Sequence, residues 1–319
     1  MMTKYRTGIG ESSSKIILIG EHSVVYGQPA IAMPVPVVRA VTRTMHCPGP
    51  LRLECAFHHG ILSNGDDNIA GLKKMIPAVL RALKQPEGGL MISIKSRIPE
   101  ERGMGSSAAV AISVVRSLFH YFNTPLDRHR LLSLVEISEK CCHGNPSGID
   151  AAAASSAHPI FFMKEKGTEW IHNTLHATLV IADTGLKGQT LHAVASLKKR
   201  LKQSVHLQGK IEQLGVLTSL ARKTLETAKE EALGPILLDA HLILRELGVS
   251  HATLDHLVDT AMANGAMGAK LTGGGCGGCI IALVKDAERA SHLAKKLVSA
   301  GAHNTWIQPF QDGYIPVRT

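Results

Sequence analysis

At 319 residues, with 45% hydrophobic and 19% charged side chains and a net charge of +9, the chain has the composition of a soluble globular protein of one large or two ordinary domains. The positive balance suits an anionic ligand. Aromatic residues make up only 4%, however, and the basic residues are scattered, with Lys198-Lys199-Arg200 the densest run, which argues against a stacking surface for nucleic acid.

The first ten residues lack the basic-then-apolar layout of a signal peptide, and the apolar stretches are interrupted by Arg116, His158 or Asp183. A cytoplasmic protein without a membrane segment is therefore expected. Residues 15–19, 36–44, 51–57 and 90–97 read as short strands from β-branched content or alternation, as in Leu90, Ile92 and Ile94 against Ser93 and Lys95. Helical periodicity follows at 69–84, 106–122 and 127–142, with Pro125 and Asp127 supplying a start signal for the last. A strand at 160–163 precedes Gly167 and a mixed polar stretch, which divides residues 1–170 from 171–319. The second unit reads as a strand at 175–183, several helices within 188–264, strands at 268–272 and 278–285, a helix at 286–300 and a last strand at 303–309. Strands separated by helices, with one glycine-rich hairpin, predict an α+β sandwich of ferredoxin-like type. A cleft shared by the two halves is the expected place for a ligand.

Four segments carry unusual polar or glycine content. Pro99-Glu100-Glu101-Arg102-Gly103-Met104-Gly105-Ser106-Ser107-Ala108-Ala109 sets two glycines and two hydroxyls where a small-residue helix begins. Free N–H groups and the positive end of the helix dipole favour an anion there, and glycine lets a phosphate approach the backbone. No lysine follows the glycines, so the Walker pattern is absent, and a dinucleotide fingerprint would need glycine at Ala108. A tight turn with Ser106 as helix cap accounts for the same residues.

Lys15-Ile16-Ile17-Leu18-Ile19-Gly20-Glu21-His22 reads as a buried strand with charged groups at both ends, or as a surface lysine and a turn. In Glu139-Lys140-Cys141-Cys142-His143-Gly144-Asn145-Pro146-Ser147-Gly148-Ile149-Asp150, Glu139 and His143 share a helical face, and Gly144, Pro146 and Gly148 force a loop that delivers Asp150. Glu139 suits a metal, while a salt-bridged helix end and an Asp150 cap for the alanines at 151–154 fit the residues equally well. Finally, Lys270-Leu271-Thr272-Gly273-Gly274-Gly275-Cys276-Gly277-Gly278-Cys279 permits close backbone approach to a ligand, or forms a flexible hairpin turn. Its single C-x-x-C lacks a second ligand pair, and the six cysteines read as small buried or loop thiols.

Taken in chain order, the segments resemble the motifs of the GHMP kinases, along the whole chain. The wording Gly-Glu-His-x-Val-Val-Tyr-Gly, Gly-Met-Gly-Ser-Ser-Ala-Ala, His-Gly-Asn-Pro-Ser-Gly-Ile-Asp and Lys-Leu-Thr-Gly-Gly-Gly is most similar to members acting on mevalonate. Val24 and Val25 stand where the galactose members carry Asp-Tyr. The resemblance implies an α+β two-domain GHMP kinase fold, with a ribosomal-S5-like N-terminal domain and a ferredoxin-like C-terminal domain. It further implies ATP and mevalonate as substrates, Mg²⁺ as cofactor, and no nucleic-acid or membrane partner, and it is compatible with a homodimer.

By resemblance, Asp150 takes the proton of the 5-hydroxyl with Lys15 beside it, and Ser107 and Glu139 hold Mg²⁺. Residues 99–109 wrap the nucleotide through Pro99, Arg102, Gly103, Met104, Gly105, Ser106, Ser107, Ala108 and Ala109. Gly273, Gly274 and Gly275 steady the phosphates from the other domain, Glu21 and His22 face mevalonate, and Thr190, in the loop after the strand at 175–183, is a further substrate contact. Two departures stand out: Glu101 replaces an upstream glycine of the phosphate loop, and Cys276 occupies a position where glycine is common. A kinase of another small alcohol, or a silent ligand-binding relative, remains an alternative.

Overall fold

The computed structural model describes residues 6–143 and 146–310. Its first sheet comprises β1 (Gly8–Ile19), β2 (Ala30–Pro50), β3 (Arg52–Cys55), β4 (His58–Ile61), β5 (Gly88–Ser96), β6 (Ile160–Met163) and β7 (Gly167–Trp170). The order is β4-β3-β5-β2-β6-β7, with β1 on β2 and only the β3–β5 pair parallel. On this sheet pack α1 (Ala70–Ala82), α2 (Ser106–Tyr121), α3 (Arg128–His143) and α4 (Ile149–Ala154).

The strand expected at 36–44 is the middle of β2, which runs through Pro34, Pro36 and Pro48. Between Ser13↔Arg39 and Ser14↔Val35 the register shifts, so Pro36, Val37 and Val38 have no partner in β1. A proline inside that bulge forfeits no ladder bond, which is why a proline-rich stretch continues as strand. Similarly, β1 begins seven residues before the expected 15–19, in a glycine- and serine-rich run. These small residues lie under α2: a Cβ on Gly10 would come within 2.1 Å of the Ser113 carbonyl oxygen. Paired hydroxyls, Thr42 with Ser113 and Thr44 with Ser117, both at 2.7 Å, satisfy the polar groups buried by that close approach.

The second sheet orders β8 (Thr178–Asp183), β9 (Gly268–Thr272), β10 (Cys279–Val284) and β11 (Asn304–Pro309) as β11-β8-β10-β9, all antiparallel. Its helices are α5 (Thr190–Leu201), α6 (Val205–Glu226), α7 (Glu230–Glu246), α8 (Ala252–Ala263) and α9 (Ala287–Ser299). The exposed strand β7 has no counterpart in the sequence reading, because Gly167–Trp170 buries none of its residues and shows no apolar face. One apolar cluster joins Ile16, Leu18 and Met33 of the first sheet to Leu179, Ile181 and Leu271 of the second. The two sheets are thus held against each other by core packing, with β1 and β9 at the junction. Among the described residues no helix is long and apolar enough to cross a membrane.

Candidate active site

The phosphate-loop segment leads from β5 into α2. Gly105, in the left-handed region at φ 68°, precedes the first residue of α2, Ser106. Ser106 is therefore inside the helix, and no side chain caps this terminus. The first-turn N–H groups lack intrahelical acceptors, and the dipole leaves partial positive charge beside them. Ala108 and Ala109 turn their methyl groups into the two cores, so only their backbone is available to a ligand. Glycine at 105 answers a contact as well as a dihedral: a Cβ there would lie 2.7 Å from Cγ of Lys15.

That lysine is inside β1, not at its start, and is 3% exposed. Its stem passes under Gly105, and its ammonium meets Asp150 Oδ1 at 2.9 Å and the Gly103 carbonyl at 3.0 Å. The loop is stitched to the same strand by the Lys15 N–H and the Ser14 hydroxyl, which both donate to the Met104 carbonyl, at 3.1 and 2.9 Å. Asp150 is 37% exposed, so one side of its carboxylate faces Lys15 while solvent reaches it from another.

Asp150 does not cap the alanine helix, since Gly148 (φ 82°) precedes α4 and Asp150 is in its first turn. The helix has only six residues and is held at its far end. Ser12 and Ser13 hydroxyls donate to the Ala154 carbonyl, Arg128 to Ala152 at 3.1 Å and Arg116 to Ser155 at 3.4 Å. Cations at the C-terminal carbonyls oppose the helix dipole favourably and fix the axis that carries Asp150.

On α2 and α3, the Ser107 hydroxyl donates to Glu139 Oε1 at 2.8 Å, with Glu139 buried. Two hard oxygen donors one turn from the phosphate loop fit a hard cation that takes its remaining ligands from phosphate and water. The expected loop at Gly144 and Asn145, and the side chain of His143, lie outside the described residues.

The glycine turn between β9 and β10 is packed, not loose. A Cβ on Gly273 would come 2.8 Å from the Cα of Gly103, bringing the two glycine loops back to back. Gly274 lies under Thr190, whose Oγ1 would be 2.0 Å from a Cβ there, and Thr190 is the first residue of α5, not part of a loop. Arg102, expected on the nucleotide, instead directs its guanidinium to the second sheet, with Nε 3.0 Å from Asp183 Oδ1 and Nη2 donating to the Gly185 carbonyl at 2.8 Å. A long side chain next to a glycine loop reads as a phosphate ligand in sequence, but here the nearest buried carboxylate claims it.

Between β1 and β2 the chain turns through Gly20 (φ 100°) and His22 (φ 62°), burying Glu21 and His22. Glu21 Oε1 forms a short ion pair with Lys270 of β9, which also donates to the Leu271 carbonyl at 2.6 Å. Burial pushes the Glu21 carboxyl up and the Lys270 ammonium down, against their mutual attraction. Burial also lowers His22 to about 4. The neutral imidazole then donates from Nε2 to the Gly274 carbonyl at 3.0 Å and leaves Nδ1 as an acceptor. Sequence reasoning gave Lys270 no role, although a lysine within an otherwise apolar strand was its visible signal.

Comparison with known proteins agrees with this geometry. The GHMP kinases N terminal domain model matches residues 71–158, and the GHMP kinases C terminal model residues 217–303. Mevalonate kinase of Pyrococcus horikoshii is 31% identical over 320 residues, covering 93% of each chain. The L. major mevalonate kinase structure in complex with R-mevalonate superposes with a TM-score of 0.84 at 26% identity, over 97% of this chain and 98% of that one. Mevalonate kinase from methicillin-resistant Staphylococcus aureus gives a TM-score of 0.73 at 31% identity, over 95% and 98%. With relatives alike along nearly its whole length and both halves matched by the family's models, the chain belongs to the GHMP kinase family.

Proposed function

We infer that this chain is an ATP-dependent mevalonate kinase, moving the γ-phosphoryl group of ATP to the 5-hydroxyl of mevalonate. The observation that carries the reading is the Lys15–Asp150 pair, at 2.9 Å, set beside the uncapped N-terminus of α2. Phosphoryl transfer asks the protein chiefly to position an in-line hydroxyl and to offset charge on the phosphates. The amides of Gly105, Ser106, Ser107 and Ala108 supply donors to the polyphosphate, and Gly273 to Gly275 bring backbone up from the other sheet. Asp150 accepts the hydroxyl proton as the O–P bond forms, and the bond to the leaving ADP oxygen breaks. Lys15 holds the Asp150 carboxylate in place and stabilises the developing alkoxide. Ser107 and Glu139 would hold Mg²⁺, which when bound neutralises phosphate charge. Glu21, His22 and Thr190 border the space left for mevalonate. We also read residues 1–170 and 171–319 as the two domains that form the cleft.

A coupled ADP-release assay across mevalonate, phosphomevalonate, homoserine and galactose tests the reading. Turnover with mevalonate about a hundredfold or more above that with the other three is expected, as for a site built to pair a buried polar group of its substrate. Preference for another acceptor, or no turnover, would overturn it.

A further inference from the structure

Among the described residues Lys270 is the largest polar side chain that is fully buried, at 0% exposure, and nothing in the phosphoryl-transfer chemistry above uses it. It reaches out of β9, across the junction of the two sheets, to a carboxylate at the end of β1. Two bonds are made by its ammonium, to Glu21 Oε1 and to the Leu271 carbonyl. Glu21 Oε2, in contrast, is buried and has no hydrogen-bond partner. An orphaned carboxylate oxygen is costly to bury, and such a group in a native fold calls for a ligand or an ordered water. The two oxygens of one carboxylate are therefore unlike: one is clamped from the second sheet and the other is unpaired.

We propose that Lys270 is a positioning residue for the substrate, holding Glu21 by Oε1 so that Oε2 accepts a hydrogen bond from a hydroxyl of the acceptor alcohol. The proposal rests on the mevalonate kinase reading, in which Glu21 borders the acceptor site. It adds that an acceptor carrying a second hydroxyl, besides the one phosphorylated, is selected through a strand of the opposite sheet. An acceptor without that hydroxyl leaves Oε2 unpaired, and buried polar sites reject such analogues strongly.

The charged groups around the pair are Lys15 from β1, His22 beside Glu21, and behind Lys270 the buried His241 of α7, whose Nε2 lies 3.2 Å from Asp255 Oδ1 of α8, with Arg245 and Asp259 nearby. Burial lowers both His22 and His241 to about 4, so neither changes charge near neutral pH. Lys270 also helps to hold both histidines down, and Glu21 is the carboxylate of this cluster that it bonds directly. Without the lysine, burial acts on Glu21 with one opposing cation fewer, and its carboxyl moves further up.

Steady-state kinetics of the wild type, Lys270→Met, Lys270→Arg, Glu21→Gln and the double variant Glu21→Gln/Lys270→Met test this. Lys270→Met should raise the KM for mevalonate about tenfold or more with the KM for ATP within about twofold, the loss expected of a charge-assisted bond. The acid limb of its kcat/KM for mevalonate should move to higher pH, and Lys270→Arg should recover part of the loss. Should Lys270→Met fail to fold, the double variant decides, because Lys270 acting only through Glu21 requires it to match Glu21→Gln. An unchanged mevalonate KM and acid limb, an equal rise in both KM values, or multiplied losses in the double variant would overturn the proposal. A wild type inactive on mevalonate would instead remove the functional reading on which it rests.

Discussion

Two lysine–carboxylate pairs flank the same turn of chain, and they differ in what water can reach. Lys15 and Asp150 meet at 2.9 Å with the carboxylate 37% exposed, whereas Glu21 and Lys270 are 2% and 0% exposed. A carboxylate that solvent and substrate reach from one side, held by a cation on the other, can take up and release a proton within a turnover. A pair buried on both sides fixes geometry instead, since any change of its charge state must meet the desolvation cost that already opposes it. On the proposed function, similar chemistry at two depths separates proton handling from placement.

The largest expected effect comes from the pair whose carboxylate faces water. Asp150→Asn should lower kcat by about 10² to 10⁴, the usual worth of a positioned acid–base group, and leave ATP affinity within a few fold. Some stability should be lost as well, because the Lys15 ammonium, 3% exposed, keeps the Gly103 carbonyl but loses its counter-charge, while the water-facing edge of the substituted side chain limits that loss. Near-normal kcat in a folded Asp150→Asn enzyme would move proton abstraction elsewhere.

For the buried pair the sign of the comparison reverses. Breaking it in Lys270→Met should cost about 3–5 kcal/mol in urea unfolding, as an uncompensated buried charge remains, while Glu21→Gln/Lys270→Met should recover much of that. A loss below about 1 kcal/mol in the single variant, the range of exposed ion pairs, would show the pair to be hydrated and not buried.

His22 sharpens the contrast through pH. Its folded value, about 4, lies below the unfolded 6.5, so above pH 6.5 both states are neutral there and the residue contributes no pH dependence. As pH falls from 6.5 to about 4 the unfolded chain takes up the proton first, and stability is lost by ~3 kcal/mol in all. His22→Gln should flatten that part of the stability–pH curve, leaving the share due to His241, which burial also lowers to about 4. An unaltered slope would mean that His22 is protonated in the fold.

The smallest effect is expected at Gly105. Its φ is 68°, and a methyl carbon placed on it would stand 2.7 Å from the stem of Lys15, so Gly105→Ala should cost about 1–3 kcal/mol. Because the strain falls on Lys15, kcat should drop as well; a fully active, fully stable variant would show that the loop and the lysine are not in register.

Much of the site was legible because glycines and turns leave marks that chemistry cannot disguise. Gly103, Gly105 and Gly273 sit where a Cβ would strike Lys15 or the facing loop, and that requirement is visible in the order of small residues before any fold is known. Strands at 160–163 and 268–272 appear with the expected bounds, since compact apolar runs between turn residues admit few alternatives. What stayed hidden were partners distant in the chain. Arg102 finds Asp183, and Lys270 finds Glu21 249 positions away, and neither pairing has a local pattern. The serines at 12–14 carry no apolar strand signal, yet they line a strand, two of them tying down α4. Their burial follows from the helix above them, which periodicity within the strand does not report.

The most direct test of the division between the two pairs is a kinetic cycle on Lys15 and Asp150, measuring kcat with mevalonate for Lys15→Met, Asp150→Asn and the double variant under saturating ATP and Mg²⁺. If both side chains act on one hydroxyl proton, the double variant loses no more than the worse single variant, within a few fold. Losses that multiply, so that two reductions of about 10² give about 10⁴, would mean that Lys15 and Asp150 serve separate steps and would contradict a shared role for the pair.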